Sequence, residues 1–220
     1  MVKNNPQSQA YEDFLQRYVS RQLENIFPRF DEFSQIDRQV IATAIKRTNY
    51  CVSRIKLFQG AQFDYLNSGH YATFLYFLAH ALWMQSGNTR DATRVFLLNK
   101  ALNGIDLFYE VKMPDVFVIG HTVGMVFAKA DYSNGCVFHQ GCTVGRKNDD
   151  RPTLEPGVIL YPQSSVIGAC LVRENTVLSP GVQLIDTDTP GNCIVFPGER
   201  GKVVFKSTSE YYADRYILRD

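Results

Sequence analysis

The chain lacks most of the features that would place a protein quickly in a large functional class. Its five cysteines (Cys51, Cys136, Cys142, Cys170 and Cys193) form no CxxC pair and no Cys/His spacing suited to a metal. They read as reduced cysteines used as small apolar residues. Charge of one sign is also missing. With 23 basic and 22 acidic side chains and no long basic run, the chain has no field to gather nucleic acid or anionic lipid. The most apolar stretch, Phe74 to Met84, is interrupted by His80 and falls short of the roughly 20 residues that span a bilayer. Met1 to Ala10 is polar and contains Pro6, without the basic-then-apolar pattern of a secretory signal. A cytoplasmic protein without a metal, nucleic-acid or membrane partner is expected.

What is present divides into two halves with different periods. Tyr11, Phe14, Leu15, Tyr18, Val19, Gln22, Leu23 and Ile26 follow the three-four spacing of one helix face, and Pro28 ends that segment. Ser34 and Asp37 predict the start of a second helix, which carries Val40, Ile41, Ala44, Ile45, Val52 and Ile55. A third is predicted from about His70 to Gln85. A fourth begins after Asn88 and stops at Gly104. The aromatics Phe58, Phe63, Tyr65, Tyr71 and Phe74 suit burial against another subunit.

From about Leu107 the period becomes six. Leu154, Leu160, Val166, Val172, Leu178 and Leu184 are each six residues apart. Two positions before the later members stand the smaller Val158, Ser164, Cys170, Thr176 and Val182. Upstream, Val126, Tyr132, Phe138 and Val144 repeat the step, while Met113, Ile119 and Met125 hold a register one residue out of phase. A strict repeat of this kind signals a solenoid. Each hexad supplies one short strand and one corner, with Gly157, Gly168, Gly181, Pro156, Pro162 and Pro180 providing corner chemistry. A β-sandwich would instead alternate by two. The expected fold class is α+β: a helical domain over 1–105, a left-handed parallel β-helix over 106–200 and a tail over 201–220. The polar insert Arg146 to Arg151 breaks the period and should be a loop thrown out from one coil.

Four histidines are available for chemistry. His70 and His80 lie in helical sequence and read as structural. His139 follows the inward Phe138 and reads as a surface or interface residue. His121 stands between Gly120 and Gly124 where the register slips, so a ligand or second backbone can approach closely. Neutral imidazole is suited to taking a hydroxyl proton near neutral pH. On the residues alone, a functional and a structural role for His121 stand level.

Several segments together resemble the serine acetyltransferase family. They are Phe77-Leu78-Ala79-His80-Ala81-Leu82-Trp83, Leu98-Asn99-Lys100, Gly104-Ile105-Asp106, His121-Thr122-Val123-Gly124-Met125-Val126, the coil with Gln140, Thr143, Val144 and Gly145, the run Val158 to Ile185, and Phe196-Pro197-Gly198. The likeness covers roughly residues 70 to 200. It implies a transfer from acetyl-CoA in which His121 is the general base and Asp106, fifteen residues earlier, orients its imidazole. It also implies that acetyl-CoA lies in a groove between neighbouring β-helices, near Gly145, Pro162, Ser179 and Pro180. Arg151 would contact the acceptor, and the chains would assemble as trimers or paired trimers (hexamers).

The departures concern the acceptor. Gly120 stands where the family usually has aspartate, and Arg151 is followed by Pro152 rather than histidine. The chain ends Ile217-Leu218-Arg219-Asp220, without the terminal isoleucine that docks family members into cysteine synthase, so that partner is not expected. Two other readings stay open: a sugar or polysaccharide O-acetyltransferase of the same fold, and a non-catalytic β-helix scaffold. A γ-class carbonic anhydrase would need three zinc-binding histidines, and the two in helical sequence speak against it.

Overall fold

A computed structural model describes residues 6–30 and 35–218. Four helices come first: α1 (Pro6–Ile26), α2 (Arg38–Ser53), α3 (Ser68–Ser86) and α4 (Thr89–Asn103). Leu15, Val19 and Leu23 are buried on the inner face of α1, as the three-four spacing requires. Asp37 caps α2, its carboxylate accepting from the Gln39 N–H at 2.8 Å. Ser34, the other predicted starting residue, lies outside the described residues. Asn67 caps α3 and Asn88 caps α4. Gly104 ends α4 at φ +64°, a left-handed position that favours glycine.

The aromatic residues expected to face another subunit are used differently. Phe63, Tyr71 and Phe74 are buried inside this chain. Their rings stack on one another, Phe63 on Phe74 at 4.9 Å and Tyr71 on Phe74 at 6.0 Å. Helix α3 is apolar on nearly every side because it is the central helix, packed by α2 and α4 and by β2. Phe63, Tyr71 and Phe74 therefore build the helical core with Tyr65 packed against it, while Phe58 packs against Val118 and Val137 of the prism.

Five turns of a solenoid follow. The first holds β1 (Ile105–Leu107) and β2 (Phe117–Gly120). The second holds β3 (Met125–Phe127), β4 (Asp131–Tyr132) and β5 (Cys136–His139). The third holds β6 (Thr143–Gly145), β7 (Thr153–Leu154) and β8 (Ile159–Leu160). The fourth holds β9 (Ser165–Ile167), β10 (Leu171–Val172) and β11 (Thr176–Leu178). The last holds β12 (Gln183–Ile185) and β13 (Cys193–Pro197), after which β14 (Val203–Ser207) turns back antiparallel to β13. Strands β1, β3, β6, β9 and β12 stack in parallel as one face of a prism; β4, β7 and β10 form a second, and β2, β5, β8, β11 and β13 a third.

The hexad residues Leu154, Leu160, Val166, Val172, Leu178 and Leu184 all point inward with no exposed surface. The smaller residues ahead of them are buried too, as are all five cysteines, none of them in a disulfide. One upstream register differs from expectation. Val126 is exposed, and Phe127 fills the prism beside Phe138. The reason lies in the corner between β3 and β4. The inward Phe127 and Tyr132 are five residues apart, while the positions stacked on them in the fourth turn, Val166 and Val172, are six apart. The shorter corner moves the inward position from Val126 to Phe127.

After β14 the chain crosses the third face and returns to the helices. Ile217 bridges Ile55, the Lys56 N–H donates to the Tyr216 carbonyl at 2.7 Å, and the Leu218 N–H donates to the Arg54 carbonyl at 2.8 Å. Tail, prism and helical layer are thus joined at the end of α2. Among the described residues no helix is long and apolar enough to cross a membrane.

Candidate active site

The corners joining the third face to the first stack into one edge of the prism, beginning at His121. Backbone hydrogen bonds of 3.0 Å run down it from Gly124 N–H to Gly104 O, Gly141 N–H to Val123 O, Gln163 N–H to Gln140 O and Gly181 N–H to Pro162 O. The residue at each step is left-handed, with φ between +63° and +77°. Only the first corner carries the additional residues. There His121 itself takes φ +57°, a conformation rare for a residue with a side chain, and its imidazole is exposed. Because the Gly104 carbonyl that ends α4 accepts from this corner, the helical layer fixes where His121 stands.

His121 faces a cavity of about 580 Å³ between helical layer and prism. One wall is the start of α3 (Asn67, Ser68, Gly69 and His70), and apolar surface comes from Val52, Ile55, Phe58 and Val118. The third wall is the tail, through Arg215 and Tyr216. The pocket therefore draws on helices, prism and tail at once.

His139, expected at the surface, also lines this cavity. It is the register partner of Gly120, and it is half-buried rather than solvated. Its ring stacks on Tyr161 with centroids 5.0 Å apart and planes at 15°. Its Nε2 shares a hydrogen bond of 3.3 Å with the Tyr216 hydroxyl, which in turn shares one of 3.2 Å with the Tyr161 hydroxyl. Burial first, and the nearby His121 second, lower the His139 pKa, so the ring is held neutral. Burial and the Tyr161 hydroxyl push the Tyr216 phenol up, so it stays protonated.

His70 is buried in the same wall. Its Nδ1 accepts from the Asp64 N–H at 3.3 Å, which leaves the proton of the neutral ring on Nε2, and Nε2 has no partner among the described residues. Burial lowers its pKa, opposed by the charge of Asp64. His80 has the expected structural setting, with Nδ1 2.7 Å from the Tyr109 carbonyl.

The other expected site residues fall in several places. Asp106 lies in β1 on the strand next to β3, paired in register with Val126. Its carboxylate accepts from Lys100 Nζ at 2.6 Å, and no hydrogen bond joins it to His121 among the described residues. Pro162, Ser179 and Pro180 belong to the corners stacked below His121, and Gly145 ends β6 on the adjoining face. Arg151 is exposed in the extruded loop between the first and second faces. That is a different edge of the prism from His121, and Arg151 does not line the cavity. The loop is closed by paired Lys147–Asp150 backbone bonds of 3.1 Å and tied down by a Lys147–Asp186 ion pair. No described cluster of three or more His, Cys, Asp or Glu side chains could hold a metal ion.

The prism, its helical cap and the cavity between them can be compared with known structures. A solved serine acetyltransferase from Vibrio cholerae superposes with a TM-score of 0.63 at 16% identity, covering 90% of this chain and 73% of that one. The fold matches that of the serine acetyltransferases. With that match comes the left-handed sense of the β-helix. A serine acetyltransferase in complex with CoA gives 0.62 at 17% identity, over 76% of this chain and 75% of that one. The soybean serine acetyltransferase complexed with serine gives 0.58 at 19%, over 76% and 70%. No protein-family model and no curated protein matches the sequence.

Sequence reasoning missed two lining residues of this pocket, His139 and Tyr216. A strict six-residue count from β5 back to β2 does not bring His139 beneath Gly120, since their separation is nineteen residues rather than eighteen. Tyr216 carries no local signal, because only the path of the tail brings it to the pocket.

Proposed function

We propose that the chain is an acetyl-CoA-dependent O-acetyltransferase acting on a small hydroxylated acceptor, with L-serine as the reference acceptor. The observation that carries this reading is His121. It is an exposed imidazole on a strained corner, facing the cavity between helices and prism and heading the edge that holds Pro162, Ser179 and Pro180. The similarity in fold to acetyltransferases solved with CoA and with serine supports the same chemistry.

In this reading acetyl-CoA is a substrate bound along that edge. Gly145 and the backbone at Pro162, Ser179 and Pro180 contact it, and the acceptor occupies the cavity. His121 removes the proton of the acceptor hydroxyl as its oxygen attacks the thioester carbonyl. The carbon–sulfur bond breaks, and the imidazolium returns its proton to the departing thiolate. Asp106 stabilises that imidazolium by exchanging its bond to Lys100 for one to the ring. Arg151 reaches the acceptor of a neighbouring chain, because within one chain it stands on another edge. Trimers, alone or paired into hexamers, supply that arrangement.

The test is free-thiol release from acetyl-CoA, scanned over serine, homoserine and a panel of sugars. Release that requires an acceptor and is lost in His121→Ala supports the proposal. A wild-type protein inert with every acceptor overturns it. A sugar oxygen as acceptor is the second reading, favoured by Gly120, which leaves the pocket wall beside His121 without a side chain.

A further inference from the structure

The geometry points to His139 as a specificity-determining residue of the acceptor site, one that reads a polar group next to the reacting hydroxyl. The inference rests on the reading of the His121 cavity as an acceptor pocket. Several observations carry it. His139 lines the same cavity as His121 and is close enough for the charge of one to lower the proton affinity of the other. Its ring cannot turn freely: Tyr161 stacks on its face and the Tyr216 hydroxyl holds Nε2. With Nε2 engaged, Nδ1 has no hydrogen-bond partner among the described residues, and it lies on the Gly120 side. A Cβ on residue 120 would meet His139 Nδ1 at 3.4 Å, its nearest neighbour. Glycine at 120 therefore leaves Nδ1 uncovered toward the space beside His121.

Tyr216 is itself fixed by its backbone, whose carbonyl accepts from the Lys56 N–H and whose N–H donates to the Ala213 carbonyl. The Tyr161–Tyr216–His139 chain can run in either direction, since each hydroxyl can donate or accept. When Tyr216 donates to Nε2, Nδ1 carries the proton and binds an acceptor oxygen. When Nε2 donates to Tyr216, Nδ1 accepts from a hydroxyl or amine. In both cases the ring recognises a second oxygen or nitrogen near the hydroxyl that His121 deprotonates, and it plays no part in the bond-making step. The preferred acceptors are diols, hydroxy acids or hydroxy amines rather than simple alcohols.

Steady-state kinetics on the full chain test this with three variants. His139→Phe keeps the ring on Tyr161 and removes both nitrogens, His139→Asn keeps a polar atom at the Nδ1 position, and Tyr216→Phe removes the hydroxyl that holds Nε2. His139→Phe should raise KM for the best acceptor by roughly tenfold, the loss of one well-placed hydrogen bond, with KM for acetyl-CoA unchanged. His139→Asn should recover much of that loss, and Tyr216→Phe should fall between. His139→Phe should also erase the preference for a diol over the mono-alcohol of the same length. Normal acceptor kinetics in His139→Phe, or an equal rise in KM for both substrates, overturns the inference while leaving acetyl transfer standing. Absence of thiol release by the wild-type chain with every acceptor sinks both readings together.

Discussion

Gly120 and His139 are register partners on adjacent strands β2 and β5, and the bare glycine leaves the imidazole facing the same cavity as His121. A pocket with two imidazoles side by side, one exposed and one held by two tyrosines, separates two tasks. The exposed ring is open to an incoming acceptor, and the held ring is kept neutral and fixed.

His121→Ala should reduce acetyl transfer by about 10²–10⁴-fold, the usual contribution of a general base. The side chain is exposed and packs into no core, so the thermal midpoint should change little. Near-normal turnover in this variant would remove His121 from the mechanism.

Asp106→Asn should cost less activity than His121→Ala. Its present partner is Lys100 in a partly exposed ion pair, and such pairs contribute about 1 kcal/mol or less. Folding stability should therefore be almost unchanged. If kcat is also unchanged, Asp106 serves only Lys100.

Arg151 and His121 occupy different edges of one prism, which makes a sharp test of shared sites. His121→Ala and Arg151→Ala chains, each impaired alone, should regain activity when co-expressed and assembled together. Intact sites then form from the His121 of one chain and the Arg151 of another. Arg151→Lys should raise the acceptor KM well beyond that for acetyl-CoA, because lysine lacks the two parallel N–H groups of guanidinium. No recovery in mixed assemblies would separate Arg151 from the site.

Folding stability should fall on mild acidification. Burial is the leading cause of lowered pKa at His70, His80 and His139. Above the ordinary value of 6.5 both folded and unfolded chains are neutral at these positions. Below it the unfolded chain binds protons that the folded chain resists, so the stabilisation is complete above that value and is lost as pH drops. The thermal midpoint should be lower at about pH 5.5 than at about pH 7.5, and a rise would contradict this account.

Leu160→Ala should destabilise the prism by about 2–5 kcal/mol, since Leu160 is fully buried on the third face and a cavity would remain. Chemical denaturation would measure the change. A loss below about 1 kcal/mol would show that the stacked turns collapse around the gap.

Much of the architecture was legible in the residues themselves. A helix turn repeats every 3.6 residues and a solenoid corner every six, so the two halves announce themselves through the spacing of Leu15, Val19 and Leu23 and of Leu154 through Leu184. Capping at Asp37 and Asn88 and the left-handed stop at Gly104 were equally local, because each depends only on a side chain meeting its own backbone. His121 stood out because glycines flank it at a break in the repeat. Phe63, Tyr71 and Phe74 meet one another inside this chain, a choice of partner that composition does not specify. Only the tertiary structure decided that His139 lies beneath Gly120, that Tyr216 returns from the tail to hold it, and that Arg151 stands on another edge. These relations depend on how many residues each corner holds and where the tail crosses. A stacked solenoid converts each such count into a displacement of whole side chains, and no spacing rule along the chain encodes that conversion.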